Sequence, residues 1–234
     1  LNGGYRIPLV GGTDKMSADV PIGFYRTYAR LREDEEFGYE AWCEAVKAGR
    51  TFMSGGPLVH FQVDGREVGD TVAMSGPGNV EVEAWAESTL PIDSLEIVQA
   101  GKVVAMAEGR GSRRLELKER LTIDAHTWLA ARVMGGGLLR PHEQMNLRGV
   151  FAHTSPVYIA CGGDWDMFDP ATAQYMQTLI EGDLAYIREG SAQDFTGNVT
   201  HHHGEADHLA YLERPFLEAL EAVHARMREN GMAV

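Results

Sequence analysis

Between Val80 and Glu87 the side chains alternate without a break: Val80, Val82, Ala84 and Ala86 on one side, Glu81, Glu83, Trp85 and Glu87 on the other. A period of two is the mark of a half-buried strand, and an amphipathic helix does not produce it. Ser88 to Ser94, with Pro91, is turn chemistry. Leu95 and Ile97 precede Ala100-Gly101-Lys102, and Val103-Val104-Ala105-Met106 follows, so a hairpin reverses where Gly101 takes a positive φ. Leu115, Leu117 and then residues 127–133 continue the pattern. A strand with one apolar face must pair and be covered, so residues 80–131 form an antiparallel layer, one half of a β-sandwich. The sandwich extends over about 58–161 and takes Trp128 inside, unless the Leu129, Ala131 and Val133 face turns inward instead.

A chain of 234 residues that is 44% hydrophobic can bury a core and divide into one large or two small domains. Its formal charge of −13, from 34 acidic against 21 basic residues, excludes nucleic acid and anionic membrane as partners and favours a small molecule or another protein. Only Cys43 and Cys161 are present, which is no disulfide framework. No apolar run approaches the roughly 18 to 20 residues of a membrane helix, and no signal peptide opens the chain.

Residues 1–56 are built differently. Ile7-Pro8-Leu9-Val10 is a short apolar run ending in Gly11-Gly12-Thr13-Asp14, which reads as a buried strand that delivers a carboxylate at its C-terminal end. In α/β barrels that end collects catalytic and metal-binding groups. A helix fits residues 37–48, with Gly49 at its C′ position. One strand and one helix do not close a barrel, so the expectation is a remnant whose remaining part lies upstream of Leu1.

The motifs Asn2-Gly3-Gly4-Tyr5-Arg6, Gly11-Gly12-Thr13-Asp14-Lys15-Met16, Pro21-Ile22-Gly23, Arg26-Thr27-Tyr28, Ala48-Gly49-Arg50-Thr51 and Gly55-Gly56-Pro57-Leu58 resemble the C-terminal half of the carbaryl-hydrolase-like metallohydrolases. So do Trp128-Leu129-Ala130-Ala131-Arg132 and Ala152-His153-Thr154-Ser155-Pro156-Val157-Tyr158. These enzymes belong to the polymerase-and-histidinol-phosphatase (PHP) superfamily, whose catalytic domain is a distorted α/β barrel. The resemblance implies that Asp14 is a metal ligand or catalytic carboxylate and that Arg26 and Tyr28 orient a substrate, with a structural ion pair as the alternative. It also implies a divalent ion, zinc or manganese, in the intact parent. The family's His two residues after the Asp is replaced by Met16, whose thioether suits such ions poorly.

Farther along, residues 58–63 read as a strand turning at Asp64-Gly65. Residues 135–148 form a long loop with His142, Glu143 and Arg148. His153 stands near Ser155, but no Gly-x-Ser-x-Gly elbow surrounds that serine. The C-terminal region is helical: Asp169-Pro170 caps a helix with apolar positions Tyr175, Met176, Leu179, Ile180, Leu184 and Ile187. A second helix carries Leu209, Leu212, Phe216, Leu220, Val223 and Met227, with a break expected near Arg214 because Pro215 follows. Between them lies His201-His202-His203-Gly204-Glu205-Ala206-Asp207-His208, where Glu205 and His208 at i and i+3 are candidates for one ion on a helix, or members of a solvated histidine-rich loop. Asn198-Val199-Thr200 matches a glycosylation sequon.

The fold class read from sequence is therefore α+β: a PHP-barrel-like remnant at 1–56, an antiparallel β-sandwich at 57–163 and a helical region at 164–234. The function it points to is the C-terminal part of a metal-dependent hydrolase of esters, carbamates or phosphoesters on small-molecule substrates, without a complete active site of its own. The alternative is a non-catalytic β-sandwich module that binds a ligand or a protein. A homo-oligomer, or assembly with the missing barrel segment, is the further expectation.

Overall fold

The computed structural model describes residues 1–14, 16, 18, 22–137, 149–191 and 207–234. The chain is α+β and mostly a β-sandwich, and it divides into two compact units: residue 1 with 5–167, and residues 2–4 with 168–234. Among the described residues the first unit holds twelve strands and one helix. In chain order these are β1 (Arg26–Ala29), α1 (Tyr39–Lys47), β2 (Thr51–Ser54), β3 (Leu58–Val63), β4 (Arg66–Glu67), β5 (Thr71–Met74) and β6 (Gly78–Glu87), followed by β7 (Ser94–Gln99), β8 (Lys102–Glu108), β9 (Arg114–Ile123), β10 (Thr127–Gly137), β11 (Gly149–Thr154) and β12 (Val157–Cys161).

One sheet runs β4-β3-β6-β9, and its β6–β9 ladder pairs ten residues from Gly78 against Ile123 to Glu87 against Arg114. In the other sheet β10 is the hub. One edge of it takes β7, which pairs onward with β8; its other edge takes β12 beside residues 127–129 and β11 beside residues 132–137. From β11 the sheet continues through β2 to β1, and from β12 to the parallel β5. Val80, Val82, Ala84 and Ala86 of β6 face Ile97, Leu129, Ala131, Val133 and Ile159 across the interior. Each fully buried Val, Leu or Ile side chain among them stabilises the fold by about 1.5–3 kcal/mol, which helps to offset the cost of ordering the strands.

The turns follow their residue chemistry. Asp64 and Gly65 (φ +46° and +72°) close β3 onto β4, and Ala100 and Gly101 (φ +48° and +91°) close β7 onto β8. Both are two-residue turns with positive φ at each central position, the geometry that matches the twist of the flanking strands. Helix α1 ends where Gly49 takes φ +71°. Gly69 (φ +89°) allows its backbone to approach that helix end: a Cβ on Gly69 would stand 2.2 Å from the Ala48 carbonyl oxygen.

Three expectations are corrected here. Residues 7–10 are not a strand, and Ile7 and Val10 are exposed, so no buried strand ends at Asp14. Residues 1–56 do not stand as a barrel remnant, because β1 and β2 are antiparallel members of the sandwich sheet. The expected covering of β10 also reverses: Leu129, Ala131 and Val133 face the interior, while Trp128 is buried on the outer side with Val98, Ala130 and Tyr158, beneath Leu1, Trp165 and Met167. The Trp165 indole N–H donates to the Thr127 carbonyl at 2.8 Å and fixes that cover.

In the second unit α2 (Pro170–Tyr186) leads into a π-helical turn at Ile187–Ser191, and α3 (His208–Glu229) packs against α2. Asp169 caps α2 by accepting from the Thr172 N–H at 3.0 Å, and Asp207 caps α3 by accepting from the Ala210 N–H at 3.0 Å. Ala173, Met176 and Ile180 of α2 meet Val223 and Met227 of α3. Pro215 lies inside α3, which continues through it where a break was expected; the missing N–H costs one helical bond without ending the helix. Among the described residues no helix is long and apolar enough to cross a membrane.

Candidate functional site

Two pairs of aromatic rings, each formed by directly opposed residues on neighbouring strands, line one cleft. Tyr28 of β1 lies opposite Phe52 of β2, and their rings stack with centroids 4.6 Å apart and planes within 5°. His60 of β3 lies opposite Trp85 of β6, with centroids 5.7 Å apart and an interplanar angle of 19°. Such cross-strand pairs hold their rings in place because both backbones are fixed by the ladder. The cleft they line encloses about 330 Å³.

Its other wall residues describe its direction. Leu58, Val59, His60 and Phe61 are consecutive in β3 and all line the cleft. Successive side chains of a strand point to opposite faces, so four in a row reach one cavity only if it runs along the strand's edge. That edge is open: β4 pairs with β3 only at Gln62 and Val63, leaving the outer side of 58–61 without a strand partner among the described residues.

The charged groups of the rim are engaged with one another. Arg30 is ion-paired with Glu67, and the Arg50 guanidinium donates to Glu35 at 3.2 Å and to the Arg30 carbonyl at 3.1 Å. Thr51 turns its hydroxyl away, donating to the Leu9 carbonyl and sharing a 2.7 Å hydrogen bond with Ser155. The site therefore offers apolar and aromatic contact with a satisfied polar border, and its lining pairs no nucleophile with a base.

The residues singled out from sequence fall as follows. Tyr28 is in the cleft. Arg26, two positions earlier on β1, stacks its guanidinium 5.7 Å from the Tyr28 ring centroid but does not line the cleft. Asp14 is solvent-exposed at φ +47° in irregular chain, and Met16 is exposed as well. His208 opens α3 in the helical unit, a different compact unit from that of Asp14. Glu205, the histidines at 201–203, the loop residues His142, Glu143 and Arg148, and the sequon at 198–200 lie outside the described residues. Among the described residues no group of three His, Cys, Asp or Glu side chains converges to hold an ion. A divalent site needs about three fixed ligands, and a lone exposed Asp14 does not fit one. Ser155 is fully buried between Thr51 and the Leu9 N–H, which leaves no open nucleophile beside His153.

Sequence reasoning passed over Phe52, His60 and Trp85. The signal for Trp85 was in the alternation itself: it sits on the glutamate side of β6, where a large apolar ring has no reason to be unless something covers it.

No family model matches the chain, and no curated protein matches it. Among solved structures it is similar to a fibronectin(III)-like module of CbhA from Clostridium thermocellum, at 13% identity over 43% of this chain and 94% of that one, with a TM-score of 0.27. It is also similar to the CARDB domain of PF1109 from Pyrococcus furiosus. The solution structure of that domain gives 13% identity, 45% and 96% coverage and a TM-score of 0.26; its crystal structure with di-metal ions gives 13%, 45% and 90%, and 0.25. The absence of a strand before Asp14, the place of β1 and β2 in the sandwich and the lack of a converging ligand set among the described residues overturn the resemblance to the PHP superfamily and the hydrolase and metal-binding reading that followed from it.

Proposed function

We propose that this chain is a non-catalytic β-sandwich module that binds an extended peptide segment along the open edge of β3, with an apolar side chain of the ligand held in the aromatic cleft. The observation that carries the reading is the coincidence of the two: the unpaired edge at 58–61 runs along the cavity lined by Tyr28, Phe52, His60 and Trp85. An edge strand presents backbone N–H and C=O groups to an added strand, and pockets beside it select alternate side chains. The volume of about 330 Å³ is at the small end of the range for ligand pockets and suits one aromatic or proline ring better than a whole drug-sized molecule. A sugar is disfavoured because the polar groups it would need are paired with one another at the rim.

The test is to pan a displayed library of short random peptides against the 234-residue chain and to measure selected binders by calorimetry. Binders carrying an aromatic residue or proline at a fixed position, weakened about tenfold or more by Trp85→Ala and by Tyr28→Ala, are expected, since a buried aromatic anchor is worth about 2 kcal/mol or more. Selected peptides that bind equally well to both variants, or a library that yields none, would reject the reading.

A further inference from the structure

A second cleft adjoins the aromatic one. It encloses about 460 Å³, and Arg6, Arg32, Lys47 and Arg50 line it together with Glu67 and Asp70. Arg50 and Glu67 line both cavities and so form the wall between them. The ladder fixes where that wall stands. β4 takes the edge of β3 at Gln62 and Val63, with Glu67 opposite Gln62, so a strand added along 58–61 stops at the residues that divide the two clefts.

Four cationic side chains around one cleft run against the balance of the chain, which has 21 basic residues to 34 acidic. Two of them are already neutralised, Arg50 by Glu35 and Lys47 by Glu44. Arg6 and Arg32 form no ion pair among the described residues. Arg6 is held in place by other means: its Nη2 donates to the Thr71 hydroxyl at 3.0 Å, and its guanidinium lies over the Tyr158 ring, 4.3 Å from the centroid. Arg32 is fixed at its backbone, whose N–H donates at 2.9 Å to the Glu35 carboxylate that Arg50 also holds. Of the two carboxylates on the wall, Glu67 is paired with Arg30, and Asp70 accepts from the Glu67 N–H at 3.3 Å. Asp70 and the carbonyl end of α1 oppose an anion here, and Lys47 in the last turn of α1 offsets the helix end. Two guanidiniums without a partner then stand against one carboxylate, and a guanidinium fork is the group that binds a carboxylate through paired N–H donors.

We infer that the peptide bound along β3 carries an aspartate or glutamate on the β4 side of its aromatic or proline anchor, and that Arg6 and Arg32 receive that side-chain carboxylate. The inference rests on the peptide-binding reading and names the chemistry of the ligand, an acidic segment. The overall charge of −13 repels such a segment at long range, but that repulsion is screened beyond about 10 Å at 0.1 M salt, whereas the pairing inside the cleft is made at contact.

Peptides selected against the full chain test this when they are made with amidated C-termini, each as the acid and as its Asn or Gln counterpart, and measured by calorimetry. The acidic residue is expected at one fixed spacing from the anchor, and the amide counterpart is expected to bind about tenfold more weakly, the worth of one charge-assisted hydrogen-bonded pair. Arg6→Gln and Arg32→Gln should each bring the acid-to-amide affinity ratio toward one. Arg120→Gln, on β9 and outside both clefts, removes the same charge and should leave the ratio as it is. Arg32 is exposed and unpaired by any carboxylate among the described residues, so its variant folds even if the loss of the Arg6 contacts disturbs the other, and circular dichroism checks both. Binders that depend on Trp85 but show no acidic preference, or a ratio that survives both Arg6→Gln and Arg32→Gln, overturn the inference and leave the peptide-binding reading standing. A ratio lowered equally by Arg120→Gln also overturns it, because the preference then follows overall charge. A library without a Trp85-dependent binder rejects the reading and this inference with it.

Discussion

The hydroxyls of Thr51 and Ser155 share a 2.7 Å hydrogen bond in the interior, and between them they satisfy both backbone groups of Leu9. Ser155 Oγ accepts from the Leu9 N–H at 2.9 Å, and Thr51 Oγ1 donates to the Leu9 carbonyl at 2.7 Å. Two small side chains, one at the start of β2 and one in the step between β11 and β12, thus stand in for a strand that the segment around Leu9 does not form. Thr27 repeats the device one turn along, donating to the Gly11 carbonyl and accepting its N–H, both at 2.8 Å.

Ser155→Ala is accordingly expected to destabilise the first unit by about 1–3 kcal/mol, the cost of leaving a largely enclosed amide and a buried hydroxyl without their partner. Urea midpoints measure the loss, and amide hydrogen exchange at Leu9 should quicken at the same time. A variant with an unchanged midpoint and unchanged exchange at Leu9 would mean that the segment is held by other contacts. The double variant with Thr51→Val should lose less than the sum of the two single changes, because the three groups form one network.

The helical unit gives a contrast that sequence spacing does not resolve. In α2 both 173-176-180-184 and 175-179-186 are apolar at helical spacing, so either stripe qualifies as the buried one. The structure buries the first: Leu184 is 4% exposed, whereas Leu179 is 49% exposed and Tyr175 and Tyr186 more so. Leu184→Ala is therefore expected to cost about 2–5 kcal/mol and Leu179→Ala less than about 1 kcal/mol, read from denaturant midpoints. Equal losses at the two positions would show that the outer stripe is covered as well.

The same ambiguity explains what was legible in the chain as a whole. β6, β7 and β9 could be read directly because one face of each meets the interior and the other meets water or charge. β10 could not be oriented, since Trp128, Leu129, Ala130 and Ala131 are all buried and burial there does not alternate. β1 and β2 were missed: at four residues each, partly covered on both faces, they carry no period to detect. The loop-like Gly-Gly-Thr-Asp run was overread for the opposite reason, as an apolar run before a carboxylate looks the same whether it is a buried strand or, as here, an exposed segment held by hydroxyls. The cleft was hidden because its rings come from four strands, and which strands pair is a property of topology that spacing along the chain does not encode.

His153 supplies a pH dependence whose sign is fixed by its surroundings. Its ring lies on β11 opposite Arg132, with Nδ1 2.8 Å from the Thr154 carbonyl. Burial lowers its pKa below imidazole's ordinary 6.5, the nearby Arg132 guanidinium lowers it further, and the hydrogen bond to Thr154 only partly opposes them. A base with a depressed folded pKa is kept neutral by the fold, so the unfolded chain takes up a proton at a pH where the folded chain does not. Stability is then fully present above about 6.5 and falls as pH drops from there toward the folded value, where the loss levels off. Urea midpoints should decline as the pH falls through about 6.5, above the range in which most carboxylates titrate. His153→Gln, which keeps a polar side chain of similar reach but does not titrate, should flatten that decline by the share that His153 contributes. A decline of the same size in the variant would assign the pH dependence to other groups and place the His153 ring in contact with water.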